Sequence, residues 1–137
     1  MSKQKQSQAE VALEKYFIKS LHIETLGKPE KGTEVKVLLD GKTSLAVSDD
    51  GENGLVAIDI TISGEPNLLY QVTVQADFHF RFLSLVAKDK AMDILRNHAQ
   101  VESFDILRIE IANATSRFAH GSFRVPPVDP LKIDESD

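Results

Sequence analysis

The stretch Leu68–Phe82, LLYQVTVQADFHFRF, alternates apolar and polar residues along almost its whole length. Leu68, Tyr70, Val72, Val74, Ala76, Phe78, Phe80 and Phe82 share one phase, and Gln71, Thr73, Gln75, Asp77, His79 and Arg81 share the other. Successive side chains of a β-strand point to opposite faces, so the pattern predicts one long strand with a dry side and a wet side. Burying each large apolar side chain is worth about 1.5–3 kcal/mol, so the three Phe demand a cover that the rest of the chain must supply.

Upstream, Leu55–Ser63 keeps Val56, Ile58, Ile60 and Ile62 in register, and the Ser63–Asn67 turn, SGEPN, returns the chain into the opening strand. Ser48–Gly54, SDDGENG, carries both Asp-Gly and Asn-Gly, the residues that tolerate tight hairpin geometry. A calcium loop would need alternating acids and a distal Glu; Asp49, Asp50 and Glu52 lack that order, and the turn is the better reading. Glu34–Asp40 sets Val35, Val37 and Leu39 on one side of a further strand, behind the loop Thr25–Gly32. The run Lys15–Glu24 has Tyr16 and Ile18 in one phase but Leu21 and Ile23 in the other. A bulge near Ser20 reconciles them, because one extra residue switches the face. Three hairpin-like connections in succession predict a four-stranded antiparallel meander.

Downstream the period changes. Ala87, Ala91, Ile94 and Leu95, with Met92 beside them, predict a helix over 85–98. Ser103 reads as the cap of a second helix bearing Phe104, Leu107, Ile111, Ala114 and Phe118, with Gly121 as its stop. Pro126, Pro127 and Pro130 then exclude regular helix. The fold class is therefore α+β, a four-stranded sheet with two C-terminal helices on one face. Residues 1–10 read as a flexible polar tail, 11–125 as a single domain and 126–137 as a Pro-containing acidic tail.

At 137 residues the chain can bury a core unaided, and with no Cys it can form neither disulfides nor thiolate metal sites. A formal charge of -5 disfavours nucleic acid, and no apolar run approaches the roughly 20 residues that span a bilayer. The N-terminus lacks a signal-peptide core, so the expected location is cytoplasmic. His22, His79, His98 and His120 show no paired ligand spacing. Asp77 and His79 share the wet face of one strand, where such a pair is far more often two solvated side chains than an acid–base couple. Ser44, Ser48 and Ser84 lack a nucleophile elbow, and no Gly-rich phosphate loop is present. Asp105 with Arg108, and Glu110 with Asn113, are spaced to interact along a helix. The residues thus point to a binding or assembly protein without catalytic set, metal or cofactor.

The order of elements, Arg108 on the last helix, the Gly121-Ser122-Phe123 step and the Val125-Pro126-Pro127-Val128 tail together resemble the SecB protein-export chaperones. Lys19-Ser20-Leu21-His22-Ile23-Glu24 is similar to that family's K-D-x-S-F-E segment, and the likeness runs from Tyr16 to Leu131. The resemblance implies a homotetramer, helices sandwiched between sheets, and apolar grooves holding unfolded or precursor polypeptides without ATP. The groove-wall candidates are Tyr16, Phe78, Phe80, Met92 and Phe123. The positions that contact the SecA motor in the family fall on Ser20, Glu24 and Gln71, with Leu69 beside them, and only Glu24 keeps its charge. That departure, with Ile106 and Ile109 flanking Arg108, fits a chaperone dedicated to one client, such as a toxin–antitoxin component, at least as well as a general export factor. The rival reading is a hot-dog-type thioesterase or acyl-binding enzyme with Asp105 or Glu110 as base; a third is a non-catalytic antitoxin or phage-associated adaptor.

Overall fold

The structure, a computed structural model, describes residues 10–126 and the backbone of Asp134–Ser136. The tails expected over 1–10 and 126–137 therefore lie almost wholly outside the described residues. Four long antiparallel strands form the sheet: β1 (Val11–Thr25), β2 (Lys36–Val47), β3 (Asn53–Glu65) and β4 (Tyr70–Phe82). The stretch that opens the sequence reading is β4, buried and partly exposed residues alternating from Tyr70 to Phe80. It is an inner strand, paired with β1 on one side and β3 on the other.

The spatial order β1-β4-β3-β2-β5 corrects the meander. Hairpins join β2, β3 and β4 in sequence, but the long connection after β1 carries the chain across the sheet, so β1 lies beside β4 in a Greek-key arrangement. The register of β1 slips between Ile18 and Ser20, where the phase change of the sequence places a bulge, and again between Leu13 and Lys15. Strand β2 runs seven residues past its expected end because Gly41, at φ +136, carries the chain through rather than stopping it. The short β5 (Asp134–Ser136) adds to the free edge of β2 in parallel.

The two expected helices are one. α1 (Lys88–Ile94) continues through a π turn (Leu95–Ala99) into α2 (Gln100–Ala114) without leaving helical backbone. Ser103 is no cap: it is buried in mid-helix and donates its hydroxyl to the Ala99 carbonyl four residues back, a bond of 2.8 Å. The helix ends before Phe118 because the Thr115 hydroxyl takes the Ile111 carbonyl at 2.8 Å and accepts the Phe123 amide at 2.7 Å, turning the chain back. Gly121 sits in the turn that follows.

The helical run covers the dry face of the sheet. Ala91, Ile94, Leu95, Ala99, Phe104, Leu107 and Ile111 join the inner residues of β3 and β4 in a single core. Close approach is made possible by Gly54 of β3: a Cβ there would lie 2.7 Å from a methyl of Leu95, so the π turn seats on bare backbone.

Candidate functional site

Strand β1 carries the apolar surface that the helix leaves incompletely covered. Opposite Phe80, Phe78, Ala76, Val74 and Val72 of β4 stand Leu13, Tyr16, Ile18, Leu21 and Ile23. The β4 members of this row are buried, whereas those of β1 are only half-buried. Tyr16 closes part of the gap by stacking on Phe78, with centroids 5.2 Å apart and planes 15° from parallel. Its hydroxyl donates a short hydrogen bond to the Glu110 carboxylate of α2. That bond, then burial, then the negative charge of Glu110 raise the Tyr16 pKa above the ordinary tyrosine value. Met92 of α1 is half-buried against the same core.

The other three expected groove residues are core. Phe78 and Phe80 are 0% and 1% exposed, pressed between sheet and helix, so the chain's own side chains occupy their surfaces. Phe123 is buried against Tyr70, their rings 5.6 Å apart. Apolar exposure lies elsewhere, at residues that periodicity does not single out. Leu83 and Leu85 project from the connection between β4 and α1, Leu85 being 80% exposed, and Ile109 is 61% exposed on the outer side of α2. The sign of an accessible Leu is its place in a short loop, where periodicity cannot be read.

Tyr70, fully buried, ties down the strap of chain that follows the helix (residues 115–126). Its hydroxyl donates to the Gly121 carbonyl at 2.7 Å and accepts the His120 amide at 2.9 Å. Arg108 holds the strap from the helix side, its Nε donating to the Val125 carbonyl at 2.9 Å. Between helix and strap, Asp105, Arg108, Ile109, Asn113, Ser122 and Arg124 border an open cleft of about 600 Å³. The two carboxylates of the enzyme reading are both engaged, Asp105 with Arg108 at 3.6 Å and Glu110 with Tyr16.

The wet face of the sheet collects the expected docking residues. Glu24 pairs with Gln71 across β1 and β4, Ser20 pairs with Gln75, and Leu69 lies just before β4, half-buried. Charge on this face is mixed and mutually balanced: Lys19 lies 3.7 Å from Asp77, and Arg81 contacts Glu14 at 2.8 Å. Asp77 thus turns to Lys19, while His79 sets its ring against Phe17 at 5.8 Å. Phe17, 52% exposed, stands in the middle of the face with the Lys15 ammonium 5.7 Å above its ring. The bulge that moves Tyr16 inward is what leaves Phe17 outside.

At the far end, Asp50 accepts the Ser48 hydroxyl at 2.5 Å and the Glu52 amide at 2.9 Å, and both bonds hold its carboxyl below the usual range. Its oxygens thus close a turn. Among the described residues no group of three or more His, Asp and Glu is placed to hold a metal, and no helix is long and apolar enough to cross a membrane.

No protein-family model matches the chain, and no curated protein matches it. Solved structures do. The Mycobacterium tuberculosis Rv1957 SecB-like chaperone, solved with a ChAD peptide from the Rv1956 HigA1 antitoxin, superposes with a TM-score of 0.64 at 7% identity, over 87% of this chain and 91% of that one. A Streptococcus agalactiae protein of unknown function superposes with a TM-score of 0.51 at 12% identity, over 87% and 98%. At such identity the likeness establishes the fold alone: a four-stranded antiparallel sheet with a C-terminal helix packed on it, as in the Rv1957 structure.

Proposed function

We propose that the chain is an ATP-independent holdase that binds exposed apolar segments of non-native polypeptides. The observation that carries this reading is the half-covered apolar row of β1, Leu13, Tyr16, Ile18, Leu21 and Ile23, in a chain whose fold is that of a SecB-like chaperone. A row of this length beside a finished core invites either a neighbouring subunit or an extended client. In this reading a homotetramer covers part of it and leaves the remainder, with Tyr16 and Met92, as groove wall. The protein works in the cytoplasm, without cofactor, metal or catalytic turnover.

A client dedicated to this chaperone, such as an antitoxin segment, fits better than general export. The related fold of Rv1957 holds an antitoxin peptide, and the wet face here bears Ser20 and Gln71 where SecA docking uses acids. Ser20, Glu24, Leu69 and Gln71 are then positions at which a private partner replaces SecA.

Light scattering of the purified chain, together with aggregation of a thermally unfolded client followed with and without nucleotide, tests the reading. A tetramer that suppresses aggregation at stoichiometric amounts, unaffected by ATP, is expected. A monodisperse monomer that protects no client removes the proposal.

A further inference from the structure

The sheet has a second margin, remote from β1. Strand β2 is 12 residues long, and its outer edge is joined only by β5, three residues in parallel register: Lys42 with Asp134, Thr43 with Glu135, Ser44 with Ser136. A partner of three residues is shorter than the usual strand of about five or six, and parallel pairing is weaker per residue than antiparallel. Among the described residues no strand borders β2 from Lys36 to Asp40, where backbone N–H and C=O groups face outward.

That open section is apolar on both faces. Val37 and Leu38 are exposed on opposite sides of the strand and Leu39 is half-buried, with Lys36 and Asp40 as the nearest charges. Edge strands normally carry a charge, a proline or a bulge where they would otherwise recruit a further strand. Here the run Val37-Leu38-Leu39 has none of these, and the blocking element is the chain's own last strand, seated a few residues further along the same edge. The molecule thereby shows what the edge accepts: an extended segment held through its main chain.

We propose that the β2 edge is a strand-addition site for extended, alternately apolar segments of non-native clients, and that β5 is its resident competitor. The proposal rests on the holdase reading and adds the mode of capture. A client strand running along Lys36–Ser44 gains main-chain hydrogen bonds over a longer stretch than β5 covers and places apolar side chains beside Val37 and Leu38, at the cost of displacing β5. Such a competitor lowers apparent affinity by the fraction of molecules whose edge is open, so weakening it strengthens binding.

The test uses the full-length chain. E135P, and separately the double substitution D134P with S136P, remove between them every amide that β5 can donate to β2. In the opposite sense, K42C with D134C places two thiols at a paired register position in a chain that has no other cysteine, so oxidation locks β5 in place. The probe is a fluorescent peptide of alternating valine and threonine with terminal lysines, alongside the same peptide N-methylated on alternate backbone amides. Roughly fivefold tighter binding to the proline variants is expected, with weaker binding to the oxidised lock that dithiothreitol restores, and loss of the gain with the methylated peptide. Amide exchange at Lys42–Ser44, measured without peptide, should rise in the proline variants. Equal affinity in all variants while client aggregation is still suppressed overturns strand addition and leaves the holdase reading standing. Absence of binding to the peptide and to every unfolded client, with the exchange change present, overturns both.

Discussion

Tyr70→Phe removes a single oxygen from the point where the strap is fastened to the sheet. The ring is fully buried, with Phe118, His120 and Phe123 around it at 5.8, 5.5 and 5.6 Å, and a Phe fills the same space without a cavity. What is lost is the bond to the Gly121 carbonyl at 2.7 Å and the bond from the His120 amide at 2.9 Å. Each intramolecular hydrogen bond contributes about 1 kcal/mol net, and a buried group left unpaired costs more. Gly121 and His120 are only half-buried, so water can reach the orphaned groups and the expected loss stays near the sum of the two bonds, about 2 kcal/mol. For a domain of this size that lowers Tm by roughly 6–10 °C. Urea denaturation gives the free energy directly: the midpoint should fall while the slope is unchanged, because the surface exposed on unfolding is the same. Amide exchange at His120 should accelerate as its acceptor disappears. A loss below about 0.5 kcal/mol would refute the reasoning, since it would mean that solvent replaces both bonds at no cost.

Tyr16→Phe combined with Glu110→Ala in a double-mutant cycle should give a coupling of about 1 kcal/mol, reduced from a buried charge-assisted bond by solvent access at β1. Because the Tyr16 pKa is raised in the fold, this contribution is complete below the ordinary tyrosine pKa near 10 and is lost as pH rises through the higher folded value; Tyr16→Phe should flatten that part of a stability–pH curve. Gly41→Ala demands a side chain at φ +136 with its Cβ 2.1 Å from the Asp59 carbonyl oxygen, and should cost upwards of about 3 kcal/mol by urea titration. Gly121→Ala, at φ +76 but in open space, should cost only about 1 kcal/mol, and equal losses would show that steric contact at Gly41 has relaxed. The Asp50 pKa is lowered, so its turn stabilises above the ordinary carboxylate range and loses that contribution as pH falls through the depressed value; the urea midpoints of the native chain and Asp50→Asn should converge in strong acid.

The sequence is legible where one rule acts alone. Alternation in β4 is undisturbed, and every inner residue from Tyr70 to Phe82 is buried. The bulge near Ser20 is equally readable, because a half-buried strand cannot change phase without one. Strand order is a different kind of fact: four alternating runs joined by turns are compatible with a meander or a Greek key, and the position of β1 beside β4 depends on how far the Thr25–Gly32 loop reaches. The candidate site suffers most from this. Phe78 and Phe80 look available only if the three Phe lack a cover, whereas the helix covers them and leaves the opposing β1 row half-bare instead.

The helix shows how two rules can cancel. Ala91, Leu95, Ala99, Ser103, Leu107, Ile111 and Thr115 are all buried, and they recur every fourth residue. In a regular α-helix a row spaced by four drifts about 40° per step, so it would wind off the sheet well before Thr115. The π turn at Leu95–Ala99 takes more residues per turn and rotates the row back. Two of the buried members, Ser103 and Thr115, are polar, and each satisfies its hydroxyl on a carbonyl four residues earlier, so the row stays dry without being hydrophobic. In the sequence these features look like an interruption and a cap, and the run is therefore divided at the place where the structure makes it continuous. Continuity matters for function: one unbroken helix carries Glu110 to Tyr16 and Arg108 to Val125, so the half-covered β1 row and the strap leading to β5 are anchored on the same turn of α2.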